Sequence, residues 1–101
     1  MRIMVDVDFP IEPFNQMLRD GKVGAVIEKI LADIKPEAIY FRERHGMRGA
    51  TMFVNMTDTS QMPMIAEPFF LMFNAMVNFE PVMTPEDLAK GDLDALGKKY
   101  A

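Results

Sequence analysis

Five side chains in this sequence have the types and settings that chemistry uses: Asp6, Tyr40, Arg42, Glu67 and Glu80. A guanidinium at Arg42 can orient a small carboxylate through paired hydrogen bonds. Tyr40 offers a hydroxyl and an aromatic wall, and Asp6 or Glu80 can exchange a proton. If Asp6 and Glu80 sit on adjacent strands, their closeness raises the proton affinity of one of them. An internal network joining Asp6, Tyr40 and Arg42 is the plainer reading, and it outweighs proton transfer. Glu67 precedes Pro68, whose missing amide frees the Met64 carbonyl. It reads first as an acceptor at a helix kink and second as a ligand contact.

Other chemistries find little material. His45 is the single histidine and stands beside Gly46, so a hairpin turn accounts for it more simply than general acid–base work. There is no cysteine and no second histidine, so neither a metal site nor a cofactor is expected. Glycines 21, 24, 46 and 49 are too dispersed for a phosphate-binding loop. The 11 methionines alternate with aliphatic residues and read as adaptable packing. No catalytic residue is assigned from the sequence, and whether the protein is an enzyme stays open.

The chain of 101 residues is 50% hydrophobic, enough for one folded domain over residues 1–101 with a short helical tail over 85–101. Its 11 basic residues against 15 acidic ones leave a formal charge of -4, which disfavours nucleic acid. The one dense basic cluster, Arg42, Arg44, His45 and Arg48, is interrupted by Glu43. No apolar run approaches the roughly 20 residues of a bilayer span and no signal peptide is evident, so a cytoplasmic protein without a membrane is expected.

The positioning elements follow from periodicity. RIMVDVD, Arg2–Asp8, alternates as a strand with Ile3, Val5 and Val7 on one face. A helix is expected around Glu12–Arg19, stopped by Gly21, and a second from Val23 to Asp33 with an apolar stripe through Val26, Ile27, Ile30 and Ile34. After Pro36, Glu37–Arg44 reads as a strand, His45-Gly46 as a turn, and Arg48–Met56 as its antiparallel partner. Met52, Val54 and Met56 are its stronger apolar set. Gln61–Ala75 is predicted helical, with Ser60 as cap and Pro68 as a kink. Val77–Val82 reads as an edge strand because Pro81 cannot donate a ladder bond. Thr84-Pro85-Glu86-Asp87 has the cap, first proline and acidic first turn of a short helix.

This order of strand, helical crossover, strand, strand, helix, strand predicts an α+β, ferredoxin-like, four-stranded antiparallel sheet with its helices on one face. Met4, Asp6, Asp8, Tyr40, Arg42, Arg44, Asn78 and Glu80 then line the other face, with Asp6 and Arg42 the first candidates for pairing.

In its organisation over about Arg2–Leu88, and in detail through EPFFLMFNAMVNFEPVMTPEDL, Glu67–Leu88, the sequence resembles a group of short, functionally uncharacterised bacterial proteins of the dimeric α/β-barrel superfamily. The resemblance implies a homodimer in which two ferredoxin-like sheets close into a barrel. Related families include cofactor-independent oxygenases and muconolactone isomerases, but a shared fold does not transfer chemistry. The expected function is binding of a small organic carboxylate or carbonyl compound by a homodimer. The alternative is a cofactor-independent isomerase or monooxygenase in which Arg42 stabilises developing negative charge.

Overall fold

The computed structural model describes residues 1–101. Strand β1 (Arg2–Asp8) leads into α1 (Ile11–Arg19) and α2 (Val23–Ile34). The hairpin β2 (Ala38–Arg44) and β3 (Met47–Asn55) follows, then α3 (Met62–Phe73), β4 (Met76–Pro81), α4 (Pro85–Lys90) and α5 (Leu93–Lys99). The strands lie in the order β2-β3-β1-β4 with every neighbour antiparallel, which is the ferredoxin-like topology.

Local chemistry explains the element ends. Gly21, at φ 69°, stops α1, and Lys35 and Asn74 close α2 and α3 in the left-handed conformation. The two-residue connection His45-Gly46 joins the paired Arg44 and Met47 with φ of 54° and 73°. Both positive values are those of a hairpin turn whose twist matches its strands. The cap before α3 is Asp58 rather than Ser60. Its carboxylate accepts from the Ser60 amide at 2.8 Å. Gln61 reaches back to the Asp58 amide, forming a capping box around a turn of 3-10 helix at Thr59–Gln61. Pro68 lies inside α3 as expected. Thr84 and Asp87 exchange the predicted cap bonds at the start of α4.

Both long helices pack on the odd-numbered face of β1. Ile3, Val5 and Val7 are buried against Ile30 and Ile34 of α2 and against Ile65, Phe69 and Phe73 of α3, with Met52, Val54 and Met56 joining from β3. Phe73 is fully buried and meets Phe9 nearly edge-on, with ring centroids 4.9 Å apart. Phe41 shares the core side of the sheet with Ile39, Ala50 and Val7, yet it is 56% exposed on the edge strand β2, where Ile39 alone packs against the core.

The expected barrel closure is overturned. A barrel requires its first and last strands to pair around the circle. Here β2 and β4 are the two unpaired edges of an open sheet, each bonded on one side only. Four strands order themselves correctly by local pairing, but that pairing supplies no closing partner, so the dimeric α/β barrel of the resemblance does not describe this fold.

The molecule is also elongated. Its radius of gyration is 17.2 Å, against about 13 Å for an ordinary domain of this length. Its extents are 60 × 28 × 19 Å. The excess comes from α4 and α5, in which every residue is exposed.

Candidate functional site

The open face of the sheet carries one concentrated group of charges, and strand register builds it. Asp6 stands opposite Thr51 of β3, and Thr51 opposite Tyr40 of β2; one step along, Asp8 pairs with Gly49 and Gly49 with Arg42. Because alternate residues share a face, Asp6 with Asp8 and Arg42 with Arg44 converge over the middle of β3.

Arg42 is the hub. Its Nη2 donates to Asp6 Oδ1 at 2.9 Å, its Nη1 to Asp8 Oδ1 at 3.1 Å and its Nε to Thr51 Oγ1 at 3.1 Å. The Thr51 hydroxyl in turn donates to the same Asp6 oxygen at 2.6 Å. The guanidinium can lie flat here because Gly49 has no side chain. A Cβ at that position would run into Arg42 Nη1 and stand 2.6 Å from the Val7 carbonyl oxygen. The Arg42 and Asp6 side chains are 20% and 12% exposed, so their pairing is largely withdrawn from water.

Arg44 is held differently. Its Nη2 donates to both Asp8 oxygens at 3.4 Å, its Nη1 is 3.9 Å from Asp6 Oδ2, and the side chain is 43% exposed. These are long contacts for a charge-assisted bond. Two carboxylates and two guanidiniums make the cluster neutral as a whole, with one cation tightly seated and one loosely.

The protonation states follow from this geometry. Burial pushes the Asp6 pKa upward, but the Thr51 hydroxyl, the Arg42 hydrogen bond and the charges of Arg44 and Arg42 outweigh it and hold the carboxyl below its ordinary value. The Asp6 hydrogen bond, assisted by Asp8, raises the Arg42 pKa against its own desolvation. Asp6 is therefore kept as an anion, which suits electrostatic anchoring and opposes delivery of a proton.

Of the five candidates read from the sequence, Asp6 and Arg42 meet directly. Tyr40 lies in the same cross-strand row, separated from Asp6 by Thr51, with its ring exposed to solvent. Glu80 does not face Asp6. β4 is the neighbour of β1 as anticipated, but the register sets Asn78 opposite Asp6 and Glu80 opposite Met4, and Glu80 instead accepts from Asn78 Nδ2 at 3.1 Å. Glu67 is on the other side of the sheet, exposed on α3 beside Ala66 and Phe70. The basic cluster of the sequence also divides: Arg42 and Arg44 join the open face, whereas Arg48 bonds Asn15 at 2.8 Å and lies over the Phe14 ring.

Asp8, Arg44, Gly49 and Thr51 are the members that sequence reasoning left out of the site. The signal for the first two was present, since D-V-D and R-E-R alternate and so place both acids and both bases on one face. Gly49 and Thr51 face Arg42 and Tyr40 because the two-residue turn His45-Gly46 fixes the β2–β3 register, a signal present in the sequence, whereas their pairing with Asp8 and Asp6 depends on the register of β1 against β3, which no local pattern specifies. No three acidic or histidine side chains gather as a metal cluster, and no helix is long and apolar enough to cross a membrane. The chain matches no protein-family model and no curated protein.

Proposed function

We propose that the open sheet face is a recognition surface for a small organic carboxylate, presented by a homodimeric cytoplasmic protein without a cofactor. The observation that carries this reading is the unequal seating of the two arginines. Three of the five N–H donors of Arg42 are engaged, which makes it a fixed scaffold. Arg44 holds its acids only at 3.4 Å and beyond and can turn its fork toward an incoming carboxylate. The exposed Tyr40 ring, on the same face of the same strand, supplies an apolar wall.

The surface is shallow. None of its larger clefts is lined by Asp6, Tyr40, Arg42 or Glu80, so affinity rests on charge and stacking, and Kd on the order of millimolar is expected. Proton transfer by Asp6 is disfavoured by its lowered pKa, which leaves binding ahead of isomerisation or oxidation.

Titration of benzoate and succinate into 15N-labelled protein tests the reading. Saturable amide shifts centred on β2 and β3, abolished in Arg44→Gln and retained in Glu80→Gln, are expected. Absence of saturable shifts, or shifts indifferent to Arg44→Gln, overturns it.

A further inference from the structure

Glu43 of β2 and Arg48 of β3 stand directly opposite each other across the ladder. Arg48 alternates with the buried Ala50, Met52 and Val54, so both charges lie on the side of the sheet that carries the helices. Opposite charges in such a position ordinarily pair. Here they form no ion pair. The Arg48 guanidinium is drawn toward α1 instead, where Nη1 donates to Asn15 Oδ1 at 2.8 Å and the group lies 4.5 Å from the centroid of the Phe14 ring. The start of α1 is itself tied to β3, since the Phe9 amide donates to the Arg48 carbonyl at 2.9 Å.

Both charges line one cleft of about 320 Å³, together with Phe9, Ile11, Asn15 and Gly46. That volume falls at the small end of the roughly 300–1,000 Å³ range of small-molecule sites. The chemistry of its walls is selective. Arg48 has one of its five N–H donors bonded, and its seat over Phe14 fixes the group while leaving donors for a carboxylate. The Glu43 carboxylate, without an ion pair in the chain, can take an ammonium. A ligand bearing only a carboxylate meets repulsion from Glu43, and one bearing only an amine meets repulsion from Arg48. A zwitterion satisfies both. Phe9 and the exposed Ile11 offer apolar contact for a short side chain.

We infer that this cleft binds a small aliphatic amino acid, its carboxylate on Arg48, its ammonium on Glu43 and its side chain against Phe9 and Ile11. The site lies on the opposite side of the sheet from the Asp6–Arg42 cluster, shares no residue with it and does not rest on the carboxylate reading of that face.

Titration of L-leucine, 4-methylpentanoate and L-leucinamide into 15N-labelled protein tests it, the second compound lacking the amine and the third the carboxylate. Saturable amide shifts from L-leucine are expected in α1 and around the β2–β3 turn, with each analogue binding at least tenfold more weakly. Arg48→Gln is expected to abolish the response to L-leucine. Glu43→Gln is expected to erase the preference for L-leucine over 4-methylpentanoate. Both side chains are exposed, and far-UV circular dichroism checks that each variant folds. Because Glu43 makes no ion pair, its variant keeps the test decisive even where loss of the Arg48–Asn15 bond unsettles α1. No saturable response to L-leucine, shifts that spare α1, or equal binding of 4-methylpentanoate overturns the inference. Any of these leaves the open-face carboxylate surface standing, and failure of benzoate and succinate to bind leaves this cleft standing.

Discussion

Replacing Arg42 by methionine removes the hub of the open-face cluster while keeping an unbranched stem over Gly49. Three hydrogen bonds are lost, and Asp6 and Asp8 are left with Arg44 as their only cation, at 3.4 Å and beyond. Breaking a fully buried pair costs about 3–5 kcal/mol, whereas exposed pairs contribute about 0–1 kcal/mol. With side chains 12–26% exposed, the Arg42 pairs lie nearer the buried limit. A loss of about 2–3 kcal/mol at neutral pH is therefore expected. For a domain of this size that lowers Tm by about 10–20 °C.

The pH dependence follows from the Asp6 shift. A carboxyl whose pKa is lower in the folded state contributes stability that is fully present above its unfolded value, about 3.9, and is lost as pH falls through the folded value. Wild type therefore forfeits this contribution on acidification below about pH 4, and its advantage over Arg42→Met narrows there. Urea unfolding of both proteins at neutral pH and at about pH 3 measures the difference directly. A neutral-pH gap below about 0.5 kcal/mol, in the range of surface substitutions, or a gap that does not shrink in acid, refutes the claim that Arg42 anchors ionised, largely withdrawn carboxylates.

Gly49→Ala should destabilise by about 1–3 kcal/mol, since the added methyl meets the Val7 carbonyl as well as Arg42. Combined with Arg42→Met the cost should be less than additive, because part of the clash is gone, and a double-mutant cycle reads this. His45→Asn should raise stability by about 0.5 kcal/mol, seen as a Tm increase of a few degrees, because asparagine tolerates the 54° φ of this turn better than histidine does. Phe73→Ala should cost about 3–5 kcal/mol by emptying a fully buried site against Phe9 and Phe14, with the midpoint of urea unfolding as the measure.

Much of the scaffold is set by local rules that any segment obeys by itself. The alternation in Arg2–Asp8 assigns Ile3, Val5 and Val7 to the core and Asp6 to the open face without reference to the rest of the chain. The 3.6-residue stripe in Val23–Ile34 does the same for α2. Proline, glycine and capping residues placed the element ends to within a residue or two, though Asp58 rather than Ser60 took the cap ahead of α3.

What tertiary structure decided is everything that depends on how one strand slides against another. A shift of one residue reverses every facing pair. The hairpin turn His45-Gly46 already sets Arg42 opposite Gly49 and Tyr40 opposite Thr51, but only the observed register of β1 against its two neighbours separates Glu80 from Asp6 and brings Asp6 to Thr51 and Asp8 to Gly49. The open edges at β2 and β4 are likewise outcomes of long-range packing. Periodicity along a chain encodes which way a side chain points; the identity of its neighbour is a property of the assembled sheet.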